Sequence, residues 1–205
     1  MKNTLTGGGG VARVIVPMRA AASLLLLLSF PQIIYAQSHT AVAPKLVRLR
    51  NAKLPAKIRD DISTVLIEDM KGSGQDDADK LRELALNSTV SFLRLEEHGP
   101  DAILVDGTSD NPLSGANGVN SPSWLFKRVG GGVVLLMENV GVGISAEPTS
   151  HHGMHDVSSA IRMGHTMDVV IEVDEFDGNT YKPAYCYELS TDDDGKDKKS
   201  ARHPC

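Results

Sequence analysis

Leu54, Ile58, Ile62, Val65 and Leu66 recur at three- and four-residue spacing, which predicts a helix over about residues 54–70, with Pro55 in its first turn. Gly72-Ser73-Gly74 ends it. A shorter helix is predicted over about 76–87, acidic in its first turn, with Leu81, Leu84 and Ala85 turned inward. Beyond Asn87 the period changes to that of strands. Ser88–Glu96 and Ala102–Thr108 flank Glu97-His98-Gly99-Pro100-Asp101 as a hairpin, and Trp124–Val129 and Val133–Glu138 flank Gly130-Gly131-Gly132 as a second. Asp110–Pro122 reads as a loop, Gly141–Glu147 as a further strand, and 149–155 as a His-rich loop. Met163, His165, Met167, Val169, Ile171 and Val173 then alternate with polar positions that include Glu172 and Asp174. That alternation predicts one half-buried strand, its Met/Val/Ile side in the core, its acidic side in solvent, and a bend near Gly164. Asp177-Gly178-Asn179 turns the chain into Tyr181–Leu189, with Tyr185, Tyr187 and Leu189 on one face and Cys186 and Glu188 on the other. The expected class is α+β: two N-terminal helices followed by an antiparallel β-meander of about seven or eight strands, forming one domain over 54–190.

Ahead of this domain, Met18–Ala36 carries Arg19, a leucine-rich run, a Pro31-Gln32 break and Ile34-Tyr35-Ala36 before Gln37. This is the three-part layout of a signal peptide cleaved after Ala36, and the apolar run is shorter than the roughly 20 residues of a membrane span. Translation starting at Met18 rather than Met1 gives the cleaner signal. Residues 37–53 read as an extended lead-in and 191–205 as a charged tail. With the leader removed, no later apolar run reaches membrane-spanning length, so a periplasmic or secreted product is expected.

The 205-residue chain is 41% hydrophobic, 23% charged and 4% aromatic, which excludes collagen-like, disulfide-dense and wholly disordered classes. A net charge of -5, more negative once Lys2, Arg13 and Arg19 leave with the leader, argues against a nucleic-acid or anionic-membrane partner. Cys186 and Cys205 are the two cysteines. In an oxidising compartment they are expected to pair and tie down the tail, with free thiols or an intermolecular bridge as the alternative.

Taken in order, Trp124-Leu125-Phe126, Gly131-Gly132 with Leu135-Leu136, His155-Asp156-Val157, Phe176-Asp177-Gly178 with Tyr181, and Cys186-Tyr187 resemble an uncharacterised class of exported bacterial β-rich domains. The Glu96–Val105 hairpin is similar to a degenerate FG-GAP/VCBS-type turn, with Glu97-His98-Gly99-Pro100-Asp101 where those repeats place several Asp around a glycine. The cysteine-containing segment that such domains often carry before the Trp is replaced here by Gly118-Val119-Asn120-Ser121-Pro122. The resemblance implies a secreted β-rich fold and no activity.

The densest candidate chemistry is a Met/His cluster: His152 and His155 in the loop, and Met163, His165 and Met167 along the strand. Thioether and imidazole donors suit copper, Cu(I) above all, and zinc is the second candidate. The competing reading is a core face, because the same side continues into Val169, Ile171 and Val173. Asp192-Asp193-Asp194-Gly195-Lys196-Asp197 opens like a calcium loop, but position 12, where an EF-hand needs an acid, is His203. Gly143-Ile144-Ser145-Ala146-Glu147 lacks the second glycine of a nucleophile elbow. Three functions are therefore expected in this order: a non-enzymatic exported binding or interaction domain for an unknown envelope protein or small ligand, a periplasmic copper or zinc binder, and a secreted hydrolase using His155 or His165 as base.

Overall fold

A computed structural model describes residues 47–74, 76–115, 119–163, 169–191 and 197–205. The predicted leader lies outside the described residues, as do Gly164, His165, Met167 and the calcium-like run Asp192–Lys196.

The first helix, α1, spans Ala56–Lys71 and starts at Pro55, whose missing N–H costs nothing in a first turn. Ile58, Ile62, Leu66 and Met70, each one turn apart, form its buried stripe. Helix α2, Ala78–Asn87, is capped by the Asp77 carboxylate, which accepts the N–H groups of Asp79 and Lys80 at 3.1 Å. It buries Leu81, Leu84 and Ala85 as the spacing predicts.

The single meander expected from the sequence is instead ten strands in two antiparallel five-stranded sheets among the described residues. The first holds β1 (Val47–Arg48), β2 (Thr89–Leu93), β3 (Ala102–Asp106), β4 (Ser121–Val129) and β5 (Gly132–Gly141) in chain order. The second holds β6 (Ile144–His151), β7 (Met154–Arg162), β8 (Val169–Phe176), β9 (Tyr181–Thr191) and β10 (Asp197–Lys199), also side by side in chain order. Three differences from the sequence reading account for the count. The predicted strand Gly141–Glu147 is broken at Val142-Gly143, where Gly143 takes φ 111° and the chain steps from one sheet to the other. The predicted strand from Met163 to Asp174 is two elements, because Arg162 of β7 pairs antiparallel with Val169 of β8 and the chain reverses between them. Short strands β1 and β10 also occupy the segments read as lead-in and tail, so the domain runs past 54–190 at both ends. Leu49, in a 3-10 turn after β1, is fully buried in the helical core.

The layers are helices, first sheet, second sheet. Ile103, Val105, Trp124 and Phe126 face the helices, packing with Ile62, Leu66, Met70 and Leu81. Their neighbours Ala102, Leu104 and Leu125 face the second sheet, packing with Ile144, Met154, Val157, Phe176 and Tyr181. Burial on both sides explains why Ala102-Ile103-Leu104-Val105 and Trp124-Leu125-Phe126 are continuously apolar rather than alternating. β5 is the edge of the first sheet. Near its end it touches β7, where a Cβ on Gly141 would come 2.5 Å from the Ala160 carbonyl oxygen, an approach only glycine permits.

Candidate functional site

Beyond the seam at Gly141, the second sheet overhangs the edge of the first and leaves an open cleft of about 510 Å³. One wall is β5 from Leu135 to Val140, and the other is formed by Glu172 and Asp174 of β8 with Thr180–Pro183 at the start of β9.

Strand register explains how two acids come to line it. Residues directly opposite in an antiparallel pair point to the same face. Asp174 lies opposite Val157, a member of the core between the sheets, and Glu172 lies opposite Ser159, whose hydroxyl oxygen accepts the amide N–H of Asn139 from β5 at 2.5 Å. The acidic side of β8 therefore faces inward, the reverse of the solvated side the alternation predicts. The reason is local: at β8 the inward face meets the gap beside β5 rather than packed core, so carboxylates fit there.

Asp174 is 2% exposed, and its Oδ2 has no hydrogen-bond partner. Burial, reinforced by the nearby charge of Glu172, pushes its carboxyl up to about 7. On the helix side of β5, opposite Trp124, the Glu138 carboxyl is also raised to about 7, first by loss of solvent and then by a hydrogen bond with and the charge of Asp69 on α1. Asp69 in turn accepts the Trp124 indole N–H at 2.8 Å. Burial likewise raises the Tyr181 phenol, which donates to the His155 carbonyl at 2.7 Å.

The Asp174 shift fixes a pH dependence. Between about pH 4 and pH 7 the folded state holds a proton that an unfolded Asp has already released, so stability falls as pH rises through this window. A shift of this size carries on the order of a few kcal/mol. Asp174→Asn is expected to flatten the slope, raising stability near pH 8 and changing it little near pH 4. Urea midpoints of both proteins across that range check this, and parallel profiles would refute it.

The predicted His-rich loop is a two-residue turn. His152 at φ 48° and Gly153 at φ 81° are both left-handed, as a type I′ hairpin between β6 and β7 requires. His152 sits beside Gly178 of the next hairpin. His155 Nδ1 lies 3.2 Å from the Ser150 hydroxyl, and its main chain is a clamp: the N–H donates to Leu95, and the carbonyl accepts from Tyr181. Met163 follows the far end of β7, eight residues from His155, which is about 26 Å along a strand. The structure thus places His152 and His155 together at one end of the sheet and Met163 at the other. Among the described residues, the one trio of metal-capable side chains within 4.8 Å of one another is Glu172, Cys186 and Cys205. Cys186 and Cys205 are joined as a disulfide, so those sulfurs are not thiolate ligands.

A contact the sequence reading missed is His151 with Asp156, at 2.8 Å across the turn. The turn sets His151 opposite Met154, and Asp156, two residues further along the same face of β7, is its diagonal neighbour. Asp156 is buried, and its hydrogen bond is the leading cause that raises the His151 pKa. The stabilising pair is fully present below the ordinary imidazole pKa and is lost as pH rises through the raised one. In an NMR titration the His151 ring is expected to have a midpoint above the ordinary imidazole value, and Asp156→Asn should lower it.

Family models, curated proteins and solved structures give no match to this chain.

Proposed function

We propose that this chain is an exported bacterial envelope or secreted protein, a non-enzymatic binding domain whose ligand site is the cleft between β5 and β8–β9. The observation that carries the reading is Asp174: a buried carboxylate without a partner, in the wall of an open cleft of ligand size. Among the described residues the other buried unpartnered side-chain atoms belong to Ser63, Thr108 and Arg128, none of them in this cleft, and Asp174 is the one carboxylate; a binding site can hold such a group ready for its ligand. Export is supported by the Cys186–Cys205 bridge and by the leader pattern at Met18–Ala36. No helix among the described residues is long and apolar enough to cross a membrane.

The test has two arms. Material recovered from the periplasm or medium should begin at Gln37 and carry a closed disulfide; an uncleaved, reduced protein overturns the export reading. Small-fragment titration followed by amide NMR shifts should perturb Leu135–Val140 and Thr180–Pro183. Perturbations confined to other surfaces overturn the cleft as the site.

A hydrolase reading draws on one observation, a carboxyl raised to about 7 beside the carboxylate of Glu172, since a general acid and a charged partner are what glycoside cleavage needs. Turnover of aryl glycosides that disappears in Asp174→Asn would favour it over binding alone.

A further inference from the structure

We propose that the cleft takes a small organic cation, an ammonium or amidinium group on an apolar body, with its charged end seated against Asp174 and Glu172. This rests on the cleft being the ligand site, and adds the chemical class of the ligand.

Two carboxylates, Glu172 and Asp174, line the space against one cation, Lys182; Glu138 of β5 borders it too, but its carboxyl meets Asp69 on the helix side of the sheet. The Asp174 Oδ2 atom is buried and accepts no hydrogen bond, so a ligand N–H would supply the partner it lacks. Leu136, Met137 and Pro183 give the same cleft apolar surface, which suits a ligand with a hydrocarbon or aromatic body. A volume of about 510 Å³ matches small organic ligands and far exceeds one ion. A bare divalent metal fits poorly for a second reason. Among the described residues Glu172 and Asp174 are joined by no third acid within 4.8 Å, whereas calcium needs about six to eight converging oxygens.

Binding should be proton-linked. Asp174 must be ionised to hold a cation, and Glu172 beside it, with Tyr181 and Lys182 from β9, are the charged and titratable groups around the same space; the Glu138–Asp69 pair lies on the helix side of β5. β7 presents uncharged Val157 and Ser159 opposite Asp174 and Glu172. Affinity therefore rises with pH as the carboxyls lose their protons.

The experiment is an amide NMR titration of the full chain with benzamidine, and with neutral, nearly isosteric benzamide as control. Benzamidine is expected to perturb Glu138, Asp174 and Tyr181, to bind at least about tenfold more tightly near pH 8 than near pH 5.5, and to lose about tenfold or more in Asp174→Asn. Asparagine keeps the shape and the neutral state of the buried group, so the variant should fold; Glu172→Gln, expected to weaken binding in the same direction, is the second variant. Benzamide binding the cleft as tightly as benzamidine would overturn the cation while leaving the cleft intact as a site. Benzamidine shifts confined to another surface would overturn both. Calcium chloride perturbing these residues where benzamidine does not would also overturn the organic cation.

Discussion

Trp124→Ala is expected to destabilise the protein by about 3–5 kcal/mol, the range for truncating a large aromatic in a packed core. Trp124 is fully buried on β4, against the stripe of α1, and no neighbouring side chain can collapse into a space of that size without moving the helix. It also donates the indole hydrogen bond to Asp69. Without that donor Asp69 is left beside Glu138 with its negative charge less well compensated, so the loss is polar as well as apolar. Trp124→Phe separates the two contributions: it keeps most of the volume and should cost less, while still removing the donor. Urea denaturation followed by circular dichroism measures both, and a Trp124→Ala cost below about 1 kcal/mol would contradict the packing described.

Opening the Cys186–Cys205 bridge should have the next largest effect. The cysteines are 19 residues apart in sequence, and on the chain-entropy model closing a loop of that length stabilises the fold by about 3 kcal/mol. The bridge also holds an element in place. Cys186 and His203 exchange both main-chain hydrogen bonds, Lys199 lies over the Tyr187 ring at 3.5 Å, and Arg202 lies over Tyr185 at 4.1 Å. The double variant Cys186→Ser, Cys205→Ser should therefore lose stability by about that amount and show faster amide exchange at β10 than at β7. Equal urea midpoints for the oxidised protein and the double variant would refute the entropic share, and unchanged exchange at Lys198 and Lys199 would refute the anchoring.

How far the sequence carried can be judged residue by residue. The helices were legible because Ile58, Ile62 and Leu66 repeat at helical spacing and acids open the second; only their ends shifted, to Ala56–Lys71 and Ala78–Asn87. The two glycine-turn hairpins and the disulfide were legible for the same kind of reason, a local signal with one good solution. Division into two sheets was not, since it depends on a step at Val142-Gly143 that resembles any other turn. The cleft was hidden for a different reason. Alternation along β8 separates two sides but does not say which side faces the protein, and that is decided by Val157 and Ser159 on a neighbouring strand. The single strand drawn from Met163 to Asp174 failed because Arg162 and Val169 belong to two antiparallel strands, which alternation alone does not reveal.

In both sheets every strand pairs only with strands adjacent to it in the sequence. Apart from β1 and β2, which pair across both helices (Val47 with Val90), each hairpin can close before the next part of the chain is needed. The helices and the first sheet can assemble once Gly141 has emerged, whereas the covalent tie waits for Cys205, beyond the last strand. Loss of free thiols would then report completion of the second sheet rather than of the first.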